Sequence, residues 1–275
     1  MSRRIACAAW AILASLMFSA PARAQSDCAA VDNTNRISGR DLCFVIKSHA
    51  GKLANSNPAL VVFLHGDTSS GGPSDYFYAY AERFADESTV AVAMIRPGYY
   101  DGARNQSGGS DLGRRDNYLP EYMDATASAL EALKAHHKAK RLIMVGHSGG
   151  AATTANILGR HPGLVDAAVL LGCPCNIVAW RNRRASPGSS PWSRSMSPDT
   201  VIDRIAPTSS VVAAVGERDT NTFPALSREY VEALTARGIK ARLLVIPGAG
   251  HDFDRSVREN PEFIAAIREA IAGAP

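Results

Sequence analysis

Six short apolar runs, each closing on a glycine- or proline-containing turn, constrain this chain more than any other feature. They are Ala59–Gly66, Thr89–Gly98, Arg141–Gly146, Asp166–Gly172, Ser209–Gly216 and Lys240–Gly248. Their residues are continuously apolar instead of alternating with polar ones, which is the pattern of strands buried on both faces and therefore of a parallel sheet. A weaker run, Asp41–Ser48, adds a strand near the start. Between the runs lie stretches with helical spacing. In Pro120–Lys138, Met123, Ala127, Leu130 and Leu133 fall on one side. Ser227–Arg237 and Pro261–Ala272 have the same character. Strands alternating with helices over the whole length predict one doubly wound α/β domain, residues 25–275. With 46% hydrophobic and 20% charged residues in 275, the chain has enough apolar material for such a core.

The first 24 residues stand apart. A basic start (Arg3, Arg4), an apolar core too short to span a bilayer comfortably, and an Ala-x-Ala ending read as a signal peptide cleaved after Ala24. The protein is then expected to be exported, periplasmic or secreted, with no stable membrane anchor. Loss of Arg3, Arg4 and Arg23 takes the formal charge from +4 to +1, which leaves no electrostatic footprint for nucleic acid. Cys28, Cys43, Cys173 and Cys175 remain. Four cysteines allow three pairings, and the local one, Cys28–Cys43 with Cys173–Cys175, is the simplest. No His or Cys spacing suggests a metal site.

The third strand run turns through Gly146-His147-Ser148-Gly149-Gly150 straight into a small-residue helical pattern. Strand, Gly-x-Ser-x-Gly, helix is a nucleophile elbow: the turn lifts the hydroxyl out of the sheet, and the helix N-terminus offers N–H groups to a developing oxyanion. A serine needs a base. Among seven histidines, His251 lies in a glycine-rich loop directly after the last run, where it can reach Ser148. Asp219, after the penultimate run, is the expected acid; Glu217 is its near rival, Asp203 a more distant candidate, and Asp252 is set aside as adjacent to the base. His65-Gly66-Asp67 follows an early run, so the N–H of Asp67 is the candidate second oxyanion donor beside that of Gly149. Cys173–Pro207, rich in Pro, Ser and Arg, is too irregular for a domain and reads as a cap over the sheet's carboxyl end. Its Trp180 and Trp192, together with Tyr99 and Tyr100, are candidate substrate contacts. His65 and His147 are candidates as well, although the leading reading of both is support: the His65 ring braces its loop by hydrogen bonding, with metal ligand or second base as its other readings.

The motifs "HGD", "GHSGG", "GERD" and "GAGHD", in that order, resemble those of the α/β-hydrolase superfamily, in particular the single-domain serine hydrolases related to dienelactone hydrolase and the catalytic domain of prolyl oligopeptidase. The resemblance covers nearly all of the chain after the leader. It implies an eight-stranded, mostly parallel sheet with helices on both faces, no cofactor, and acyl transfer to water through an acyl-serine. The chain has neither the Gly-Gly-Gly oxyanion loop of some lipases nor a propeller domain. The expected substrate is a small-molecule carboxylic ester. The alternatives are a peptidase or amidase acting on short peptides, and a non-catalytic binding protein that keeps the fold. Nothing in the sequence selects an oligomeric state.

Overall fold

The structure is a computed structural model that describes residues 28, 31–50, 57–68, 70–113, 118–184 and 192–273. The expected leader lies outside these residues, as does the middle of the expected cap, 185–191. Eight strands form a single sheet: β1 (Arg36–Gly39), β2 (Leu42–Ala50), β3 (Ala59–Leu64), β4 (Thr89–Met94), β5 (Arg141–His147), β6 (Ala167–Leu171), β7 (Ser210–Gly216) and β8 (Lys240–Ile246). Their order across the sheet is β1-β2-β4-β3-β5-β6-β7-β8. β2 is antiparallel to both β1 and β4, and every pairing from β4 through β8 is parallel. The four-residue β1 is absent from the sequence reading because "RISG" is too short and polar to register as an apolar run.

Side chains along a strand alternate between faces, and here each face meets its own core. Leu60, Val62, Leu64, Leu142, Met144, Ala168 and Leu170 join one core. It is completed by α2 (Pro120–His136), α3 (Gly149–Arg160) and α5 (Pro224–Ala236). Their neighbours Val61, Phe63, Ile143, Val145, Val169 and Leu171 join the other core, closed by α1 (Tyr78–Glu82), α6 (Arg255–Arg258) and α7 (Pro261–Ala272). The continuous apolar runs therefore have the cause expected of them, burial on both sides. β8 is the exception. It is one of the two edge strands, and Lys240, Arg242 and Val245 are exposed.

The topology also fixes where chemistry can occur. From β3 the chain moves to β4 on one side and later to β5 on the other, so a crevice opens outside the carboxyl ends of β3 and β5. The Asp67 loop leaves β3 there, and Ser148 follows β5 directly. The cap is more regular than its composition suggests. It contains α4 (Ile177–Arg184) and a 3₁₀ segment at Pro198–Arg204. Disulfides join Cys28 to Cys43 and Cys173 to Cys175. No helix among the described residues is long and apolar enough to cross a membrane.

Candidate active site

Ser148 occupies the turn between β5 and α3 with φ 51° and ψ −116°. A non-glycine residue in that region is strained, and the surrounding contacts hold it. The Ser148 N–H donates to the Leu171 carbonyl at the end of β6 (2.8 Å), and its carbonyl accepts from Ala152 N–H (3.0 Å). The glycines are required by close approach. A Cβ on Gly150 would stand 2.1 Å from the Leu64 carbonyl oxygen, and one on Gly66 would stand 2.9 Å from the Ser148 Cβ. Helix α3 thus begins against the end of β3, and the Gly66 loop lies against the serine.

The base and acid loops are joined by their backbones before their side chains meet. Glu217 N–H donates to Ile246 O (3.0 Å) and Arg218 N–H to Ala249 O (2.8 Å). This pairing places Asp219 beside His251. His251 Nδ1–H donates to Asp219 Oδ2 (2.9 Å), and the Ser148 hydroxyl lies 3.0 Å from His251 Nε2. Asp219 is buried and accepts three further hydrogen bonds: from Asn221 N–H, from Thr222 N–H (both 2.8 Å) and from the Thr222 hydroxyl (2.7 Å). Burial alone would raise its carboxyl. The hydrogen bond and charge of His251, with those from Thr222, outweigh burial and hold it below the usual carboxylate range. Its rivals are engaged elsewhere: Glu217 accepts from Gly248 N–H (2.9 Å) and Asp203 pairs with Arg237.

The Asp67 side chain sits at the other flank of the serine. Its Oδ1 accepts from Arg96 Nη1 (2.7 Å) and the Tyr99 hydroxyl (2.9 Å), and its Oδ2 from the Tyr118 hydroxyl (2.7 Å). The Arg96 guanidinium also lies over the rings of Tyr99 and Tyr118, at 5.2 and 5.5 Å. Burial would raise the Asp67 carboxyl; the charge of Arg96 and the three donors lower it. A Cβ on Gly149 would touch both Arg96 Nη1 (2.5 Å) and Asp67 Oδ1 (2.6 Å), so this ion pair adjoins the first turn of α3. The N–H groups of Asp67 and Gly149 make no hydrogen bond among the described residues.

Several expected substrate contacts are turned inward instead. His65 is buried. The Arg96 N–H donates to its Nε2 (2.9 Å), so its Nδ1 carries the proton and donates to Gly66 O (2.7 Å). Burial and the nearby Arg96 charge push its pKa down to about 3. His147 likewise uses both ring nitrogens, toward Tyr76 Oη (2.7 Å) and His251 O (2.9 Å). Tyr99 is buried on Asp67. His65 and His147 thus have both ring nitrogens engaged inside the protein, and the Tyr99 hydroxyl proton is committed to Asp67. Tyr100 is partly exposed, with Arg104 stacked 4.8 Å from its ring. Trp180 and Trp192 pack edge-on against each other at 5.3 Å. Trp180 Nε1–H donates to Asn221 O (3.1 Å) on the acid loop, while Trp192 lies 5.7 Å from Tyr118. The cap is therefore tied to both flanks of Ser148. Tyr76, Arg96, Tyr118 and Thr222 went unnoticed in the sequence. Of these, only Thr222, three residues after Asp219, carried a local signal.

Residues 61–203 match the model of the Alpha/beta hydrolase family. No curated protein matches the chain. Among solved structures it is similar to Est1E from Butyrivibrio proteoclasticus, solved with ferulic acid bound. The TM-score is 0.66 at 16% identity, over 86% of this chain and 99% of that one. Esterase PE8 aligns with a TM-score of 0.57 at 20% identity, over 86% and 99%. The acylaminoacyl peptidase of Pyrococcus horikoshii gives 0.65 at 16% identity, over 85% of this chain but 39% of that one. At these identities the likeness is one of fold.

Proposed function

Because the chain belongs to the alpha/beta hydrolase family, we propose that it is a serine hydrolase that cleaves carboxylic esters. The observation that carries this reading is the unbroken line from Asp219 Oδ2 through the His251 ring to the hydroxyl of a strained Ser148, at 2.9 and 3.0 Å. In the proposed reaction Ser148 Oγ attacks the ester carbonyl carbon while His251 Nε2 takes its proton. Asp219 keeps the proton on Nδ1, so Nε2 is free to accept, and it stabilises the imidazolium that forms. The tetrahedral oxyanion takes up the N–H groups of Asp67 and Gly149, each worth about 10²–10³ in rate. Collapse expels the alcohol, which receives the proton from His251. Water, activated by the same imidazole, then releases the acid from the acyl-serine.

The same triad can open an ester or an amide; the ester is taken first because the alcohol is the better leaving group and asks less of substrate anchoring. Wild-type protein is expected to hydrolyse p-nitrophenyl acetate and to label with a fluorophosphonate. Ser148→Ala should lose at least about 10⁴ in turnover. Full turnover in that variant would overturn the mechanism. A folded wild-type protein that does not label would favour the non-catalytic alternative, and a panel of side-chain-matched esters and amides separates esterase from peptidase. We also propose export, on the leader pattern; a mature chain starting at Gln25 is the expected result of intact-mass analysis.

A further inference from the structure

The groups proposed to act on substrate come from segments far apart in the sheet. Gly66 and Asp67 follow β3, His251 follows β8, and β5, β6 and β7 lie between them. Catalysis needs these segments held in one geometry to a fraction of an ångström. We infer that Tyr76 and His147 are positioning residues that tie the Gly66–Asp67 loop to the His251 loop through one directed hydrogen-bond chain.

Three contacts define the chain. Gly66 N–H lies 2.5 Å from Tyr76 Oη. Tyr76 Oη lies 2.7 Å from His147 Nδ1. His147 Nε2 lies 2.9 Å from the carbonyl oxygen of His251. The donors can be assigned by elimination. A backbone N–H only donates and a carbonyl only accepts, so His147 Nε2 must carry the ring proton. A neutral imidazole then presents Nδ1 as an acceptor, and the single phenolic proton goes to it. Tyr76 Oη, its proton committed, accepts from Gly66. Each bond is satisfied in one direction only, and the Nε2–H tautomer alone satisfies all three. The ring stays neutral because burial and the neighbouring His251 charge push its pKa down to about 4, and the two hydrogen bonds choose the tautomer.

The packing around the phenol supports the same role. The Tyr76 ring lies 4.7 Å from Phe77, 5.7 Å from Phe253 and 5.8 Å from His147. Phe253 is two residues past His251, so the phenol ring steadies the base loop by contact while its hydroxyl holds the oxyanion loop. His147 is the variable residue of the elbow, placed between the two. A side chain there that only filled space would need neither nitrogen.

This inference rests on the serine-hydrolase reading, and kinetics on p-nitrophenyl acetate test it. Tyr76→Phe keeps the ring and removes both hydrogen bonds at Oη. It is expected to lower kcat about 10- to 100-fold with KM within about twofold. His147→Phe should lose as much. His147→Gln, whose amide can direct its N–H to the His251 carbonyl and its oxygen to the Tyr76 hydroxyl, should recover most of the rate. The double variant Tyr76→Phe/His147→Phe should be no slower than either single one, because each already breaks the chain. Additive losses, a loss confined to KM, or a Gln variant as slow as the Phe variant would overturn the inference. Inactive wild-type protein, or active Ser148→Ala, would instead strike the hydrolase reading. Nitrogen-15 spectra of the imidazole rings decide the tie independently of turnover. A His147 proton on Nε2, with resonances that shift in Tyr76→Phe, is expected; a proton on Nδ1 in wild-type protein rules the chain out.

Discussion

His65 and His147 are enclosed, each with both nitrogens committed inside the protein, and their pKa values are pushed from the ordinary 6.5 down to about 3 and about 4. Unfolded, both would take up a proton near pH 6.5; folded, they resist until far lower pH. The unfolded state therefore binds more protons between these limits, and stability falls as the pH drops through them. The stabilisation is complete above about pH 6.5 and is lost progressively toward pH 4 and 3. Its size is on the order of 3–5 kcal/mol per histidine. Urea titrations at pH 7.5 and 5 should show the loss, beginning well above the carboxylate range. The Asp67–Arg96 pair gives a second expectation. Arg96→Met would leave a buried carboxylate beside the proposed oxyanion, and turnover should fall at least about 100-fold. Asp67→Asn added to it should recover part of that loss, since the uncompensated charge is gone. Ser148, Asp219 and His251 were legible in the sequence because each follows a strand run within a short glycine-bearing motif. Tyr76, Arg96 and Tyr118 were not. Their partners lie 71, 29 and 51 residues away, and no local pattern announces such pairs.

Among elements, the junction of α3 with β3 sets the tightest tolerance. A methyl group on Gly150 would meet the carbonyl oxygens of Leu64 and His65 at 2.1 and 2.6 Å, both of them backbone atoms that cannot swing aside. Gly150→Ala should therefore cost about 2–4 kcal/mol. It should reduce turnover further still, because displacing α3 moves the Gly149 N–H. Gly163→Ala is the control: it faces open space at φ 83° and should cost only about 1 kcal/mol. Melting curves and turnover of the two variants separate packing from backbone strain. The same contrast explains which elements could be read in advance. β3 to β7 are continuously apolar and largely enclosed, so composition alone marks them. The five-residue α1 is too short to show a period, α4 is hidden by "RNRR", and β8 carries an apolar run although one side of it faces solvent.

For the whole molecule, the site and the sheet edge at β1–β2 are separate concerns. Cys28–Cys43 secures the first described residues to β2, which two strands, β4 and β3, separate from β5. Cys28→Ser/Cys43→Ser is expected to lower stability by about 2–3 kcal/mol, through a loop of sequence separation 15, and to leave ester turnover within about twofold. The alternation of strand and helix announced a single sheet with the candidate site at the carboxyl ends of its strands. What surrounds the substrate was not legible, because the cap and the loops acquire their shape from distant contacts such as Trp180 with Asn221. The close contacts of Gly66, Gly149 and Gly150 carry one further consequence. A side chain on Gly150 would meet backbone, one on Gly149 the Arg96–Asp67 ion pair and one on Gly66 the Cβ of Ser148, so the candidate centre has no room for larger residues. Room for a different substrate therefore has to be made away from these three glycines, in side chains that are not enclosed, such as the partly exposed Tyr100.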